Sequence, residues 1–169
     1  HVQISVDLTA DEMWASSLVP FQAAVDVGAA AFMTMPARFP AWDAEHPALA
    51  SRAITTDLLR GELGFTGLIC TDAVWMEGAA IGLDHPFDVA VVALAAGADV
   101  LLTTNPDFDD VVDMATRIEA ALDDGRLDLA AFEASTRRIL EAKARFCLME
   151  EPLWPGPDAA DGLRDHILR

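Results

Sequence analysis

Hydrophobic and polar positions repeat along the chain in one layout: an amphipathic stretch, a glycine, a short apolar run, then a threonine. PFQAAVDVGAAAFMT carries Gly28 and a run ending at Thr34, and ITTDLLRGELGFTGLICTD carries Gly64 and a run ending at Thr71. FDVAVVALAAGADVLLTT carries Gly97 and a run ending at Thr103. Each amphipathic stretch predicts a helix, and each glycine predicts the left-handed residue that closes it. The run that follows is apolar on both faces, as a strand buried in a parallel sheet must be. Successive glycines lie 36 and 33 residues apart, the length of one strand–helix unit. Helices alternating with buried strands make the fold α/β.

Capping chemistry sets the helix boundaries. Thr9 and Glu12 form a T-x-x-E capping box, and Pro20 suits the first turn of the next helix. Asp107 and Asp128 are N-cap candidates for helices over 107–123 and 129–144. A fourth candidate strand lies at 3–6. A closed (β/α)8 barrel needs roughly 250 residues or more. A chain of 169 residues with three clear strands therefore reads as half of such a TIM barrel, its C-terminal half. That domain would span residues 1–148. Residues 149–169, rich in Pro, Gly and Asp, read as an irregular tail with Trp154 pinned against the body.

Charge narrows the partners. Twenty-eight acidic against eleven basic residues give a formal charge of −17, which repels nucleic-acid phosphates and anionic lipid. No apolar stretch approaches the ~20 residues of a membrane span. Cys70 and Cys147 fit no metal-type spacing, and Cys70, inside an apolar run, is expected to be a buried free thiol. No GxGxxG, P-loop, HExxH or GxSxG pattern is present, so no cofactor or metal is expected. The chain does not begin with Met, so the expectation is a piece of something longer, and export is left open.

In parallel α/β folds the strand C-terminal ends build the active site. Here those ends are Thr34 to Arg38, Thr71-Asp72, and Thr103 to Asn105. Asp72 follows the strand directly, which suits a nucleophile that must attack along one line; equally, it could cap a following helix. Arg38 reads as a substrate contact or a surface ion pair. Trp75 and Met76 read as a sugar-site wall or as packing. His46 and His85, beside prolines in polar segments, read as exposed, and His166 carries no functional reading.

Leu58 to Ile81, LLRGELGFTGLICTDAVWMEGAAI, resembles the nucleophile region of glycoside hydrolase family 3, specifically its bacterial β-N-acetylglucosaminidase branch. PFQAAVDVGAAAFMTMPARFPAWD upstream, and AVVALAAGADVLLTTN and ASTRRILEAKARFCL downstream, extend the resemblance to Leu148. It implies that Asp72 is the nucleophile of a retaining exo-glycosidase, forming a covalent glycosyl-enzyme on a glycan that contains N-acetylglucosamine. It also implies that His1, 71 residues ahead of Asp72, is the general acid/base, the last residue of the family's Asp-Ser-His pattern. Met76 and Arg38, by their place at the strand ends, are the candidate substrate-binding residues. Pro36 stands where the family has His, and Ala73 stands where its β-glucosidases have Trp. The family's sugar-binding Lys-His pair would lie upstream of His1.

A second reading is a non-catalytic half-barrel, an assembly module that pairs with a second copy or with the missing N-terminal half-barrel. A third, a phospho-accepting signalling domain, would want a Lys after the last strand, where the chain reads TTNP.

Overall fold

The computed structural model describes residues 4–74, 83–104 and 107–146. It is an α/β fold with two three-stranded sheets. The larger holds the three anticipated strands: β2 (Ala31–Thr34), β5 (Leu68–Ala73) and β6 (Val100–Leu102), in the order β2-β5-β6 and all parallel. The smaller holds β1 (Ile4–Ser5), β3 (Ala37–Phe39) and β4 (Asp43–Pro47), with β1 parallel and β4 antiparallel to β3.

Two expectations change here. The candidate strand at 3–6 exists as β1, but it pairs with β3 and does not extend the larger sheet. The stretch after Thr34, where no strand was anticipated, turns into β3 and β4 and continues through a 3-10 turn, Ala48–Ala50. The pleat of such three- to five-residue strands is too short to show as periodicity.

The helices follow their caps. Helix α1 (Ala10–Ala15) opens on the Thr9/Glu12 capping box, and α2 (Val19–Asp26) has Pro20 in its first turn. A π-helix, Ala53–Glu62, precedes β5, and α3 (Asp88–Ala96) runs between β5 and β6. Helices α4 (Phe108–Asp123) and α5 (Leu129–Arg145) start after Asp107 and Asp128; Asp128 accepts from the Ala130 amide at 3.1 Å. Gly28, Gly64 and Gly97 all have positive φ, as anticipated. At Gly97 the need is twofold: φ is 111°, and a Cβ would run into Thr56 Oγ1, which donates to Ala96 O at 2.6 Å.

One face of the larger sheet is covered and the other is not. Along β5, Ile69, Thr71 and Ala73 are buried, alternating with half-buried Leu68, Cys70 and Asp72. The strand was expected to be covered on both faces; among the described residues, Met33, in register with half-buried Cys70, remains 59% exposed. Cys70 is accordingly free but only half-buried; burial, reinforced by Asp99, still pushes its thiol pKa up. Among the described residues the core falls into three clusters. Leu49, Val74, Val89, Ala93 and Met114 join α3 and α4, Met13, Leu18, Leu58 and Leu63 join α1 to the π-helix, and Val91, Ala121 and Leu127 join α3 to the end of α4.

A charged cluster ties helices to strands at the foot of the sheet. The Asp99 carboxylate is fully buried and accepts from Arg60 at 2.6 Å, from Arg138 at 2.8 and 2.9 Å, and from the Ile69 amide at 2.9 Å. Removing one member of a buried charge cluster strands the others. Asp99→Asn should therefore cost about 3–5 kcal/mol, read as a lower urea midpoint by circular dichroism; a loss under about 1 kcal/mol would show that the arginines are solvated rather than held.

Candidate active site

Asp72 lies in the last turn of pleat of β5, at its C-terminal end, half-buried on the open face. The ladder is irregular at that point. Cys70 pairs with Val100 but Ala73 pairs with Leu102, so β5 carries one extra residue across Thr71–Asp72. Such a β-bulge breaks the ladder and re-aims a side chain. The fully buried Thr71 hydroxyl oxygen fills the gap by accepting from Leu102 N at 3.0 Å. Its register partner on β2, Thr34, donates to Cys70 O at 3.3 Å. Two threonine hydroxyls thus brace the backbone on either side of the bulge.

The Asp72 carboxylate itself is lightly committed. Oδ1 accepts from the adjacent Ala73 amide at 2.7 Å, and Oδ2 has no hydrogen-bond partner among the described residues. The strand-end carboxylate is therefore held in place by its backbone, with one oxygen uncommitted among the described residues.

Arg38 lies on β3, in register with Ser5 and Pro47. The surface ion pair anticipated for it is absent among the described residues, and its Nε is buried without an acceptor. Arg38 and Asp72 are not in contact through any hydrogen bond or ion pair. His1, Trp75 and Met76 lie outside the described residues, as do Cys147, Trp154 and the tail at 149–169. His46 is exposed, as expected, whereas His85 is half-buried against Phe87, ring centroids 5.1 Å apart.

Asp43 was not singled out by sequence, yet it organises the segment after β3. Its carboxylate accepts from the His46 amide at 2.9 Å, the Ser51 hydroxyl at 2.7 Å and the Glu45 amide at 3.0 Å. Burial pulls its pKa upward, but these donors outweigh it and hold the carboxyl below its usual value. The readable signal was the D-x-x-H-P stretch, an Asx-type turn opener. Among the described residues no group of three His, Cys, Asp or Glu side chains could hold a metal ion.

A parallel α/β domain with a bulged strand presenting a carboxylate at its C-terminal end defines the class. The comparisons supply the family. The model of the glycosyl hydrolase family 3 N-terminal domain matches residues 1–142, and the chain belongs to that family. An uncharacterized secreted glycosyl hydrolase of Arthroderma benhamiae is 35% identical over 144 residues, covering 85% of this chain and 40% of the relative. A β-hexosaminidase of Chromobacterium violaceum is 40% identical over 105 residues, covering 62% and 29%. The solved family 3 β-N-acetylglucosaminidase of a Paenibacillus species superposes with a TM-score of 0.83 at 28% identity, covering 92% and 29%. The chain thus spans well under half the length of these relatives.

Two outcomes are expected from this geometry. Thr71→Val leaves the part-buried Leu102 amide without its acceptor, so stability should fall by about 1 kcal/mol. Thr71→Ser should recover most of it in the same denaturation experiment; an equal loss for both would point to packing instead. Because the folded Asp43 pKa lies below its unfolded value, its contribution is present above about pH 4 and disappears as pH falls through the folded value. The stability gap between the native chain and Asp43→Asn should then narrow on acidification, and a gap that widens would contradict the hydrogen-bond assignment.

Proposed function

We propose that this chain is the C-terminal half of the (β/α)8 barrel of a retaining exo-β-N-acetylglucosaminidase, with Asp72 as the nucleophile. The observation that carries the reading is the bulge at Thr71–Asp72 together with an Asp72 Oδ2 that has no hydrogen-bond partner among the described residues. In this reading Asp72 attacks the anomeric carbon while His1 protonates the leaving oxygen. His1 then takes a proton from water, which releases the sugar from Asp72. A histidine suits both roles because its ordinary pKa is near neutrality. The orphaned Arg38 Nε supports a polar substrate contact there, and Met76 would wall the sugar. The exposed Met33 fits a sheet that the remaining strands of the barrel would close.

The same exposed face also favours the second reading, in which the sheet pairs with a second copy without catalysis. Activity separates the two. In the protein carrying the rest of the barrel, Asp72→Asn should fold normally and lower release of nitrophenol from an aryl N-acetylglucosaminide by several powers of ten. A 2-fluoro glycoside should label Asp72. The 169-residue chain alone should release none. Near-normal turnover by Asp72→Asn, or a label on Asp43 or Asp84, would sink the assignment.

A further inference from the structure

A cavity lies at the foot of the fold, between the N-terminal ends of β2, β5 and β6 and helix α5, with a volume of ≈ 640 Å³. Leu68, Val100, Ile118, Phe132 and Ile139 line it, and each of these side chains is only half-buried. The carboxylate at its edge, Asp99, is already taken up by Arg60, Arg138 and the Ile69 amide. A space of this size walled by apolar side chains costs stability when empty, and water inside it finds few polar partners. The wall is suited to an apolar occupant.

The course of the chain supplies one. Phe146, the last residue described in the helical region, belongs to the lining and is 49% exposed. The residues that follow it, CLMEEPLW at 147–154, lie outside the described residues and carry Leu148, Met149, Leu153 and Trp154. Eight residues reach at most about 29 Å when fully extended, ample to turn back from Phe146 to the strand ends. The stretches at 75–82 and 105–106, also outside the described residues, instead follow β5 and β6 at their far, C-terminal ends.

Charge and backbone stiffness favour the same segment. Lys143, on the cavity wall, and Arg145 lie in the last turn of α5, while Glu150 and Glu151 stand between the two apolar pairs of the segment. Exposed pairs of this kind are weak, so they orient the segment rather than hold it. Pro152 and Pro155 flank Leu153-Trp154 and restrict the backbone in advance, which lowers the entropy lost on ordering it.

We propose that residues 147–154 fold back over this cavity and seat Leu153 and Trp154 in it, so that the chain closes the foot of its own sheet. An indole buries roughly 150–250 Å², the largest apolar gain the segment offers. The contact clamps α5 against the strand ends beside the Asp99–Arg138 ion pair. It is independent of the assignment of Asp72, because its readout is the position of Trp154.

The test is nuclear magnetic resonance on the full 169-residue chain carrying methyl-labelled isoleucine. Nuclear Overhauser contacts from the Trp154 indole, assigned by their loss in Trp154→Phe, to the Ile118 and Ile139 methyl groups are expected. Leu153→Ser with Trp154→Ser should raise binding of the apolar dye ANS several-fold with far-ultraviolet circular dichroism unchanged. Leu163→Ser, further along the chain, should leave dye binding as it was. Absence of the Trp154 contacts to both isoleucines overturns the proposal. So do contacts that arise only between differently labelled copies in a mixed sample, which make a second copy the occupant. Equal dye binding by Leu163→Ser and the double variant overturns it as well.

Discussion

The buried Asp99 carboxylate is the point on which the rest of this fold turns. Parallel strands have no hairpins to hold them together, so each strand must be tied to helices that lie far away in sequence. Asp99 does this at one stroke. It meets Ile69 of β5 through the backbone amide, Arg60 of the π-helix and Arg138 of α5, partners 30 to 39 residues away. Stripping a carboxylate of water is costly, and only two guanidinium groups and an amide arranged around it offset that cost. Apolar contacts alone would hold the same helices against the sheet without specifying where along β5 they stop.

That anchoring has consequences at the opposite end of the strand. Ile69 and Asp72 are three residues apart, roughly 10 Å along an extended chain. With Ile69 N held by Asp99 and Thr71 Oγ1 receiving the Leu102 amide, β5 is pinned on both sides of Cys70. The extra residue of the bulge must then be absorbed at Thr71–Asp72. A strand free to slide would relax it away. The foot of the sheet gathers Asp99 and its two arginines, while the mouth holds Asp72, whose Oδ2 has no partner among the described residues.

Much of this was legible along the chain, because local rules govern it. Gly28, Gly64 and Gly97 mark helix ends through backbone sterics, and Thr9, Asp107 and Asp128 mark helix starts through the first free amides. The apolar runs ending at Thr34, Thr71 and near Thr103 became the three strands of the parallel sheet. The family is legible for the same reason: the motif around Asp72 is contiguous, so the resemblance read from it and the family match agree.

Other features depend on residues brought together from afar. Asp99 reads as one polar residue in an apolar run, and nothing nearby in sequence names Arg60 and Arg138 as its partners. The bulge at Asp72 is a mismatch between β5 and β6, a relation that neither strand contains alone. The excursion through β3 and β4 rests on β1 arriving from the start of the chain to pair with Ala37 and Arg38. The sequence by itself determined where the capped helices and the three parallel strands lie, since capping, glycine geometry and apolar runs act over a few residues. Only the tertiary structure decided register, which charges meet and which face of the sheet stays open, because those energies belong to pairs of groups and not to either residue alone.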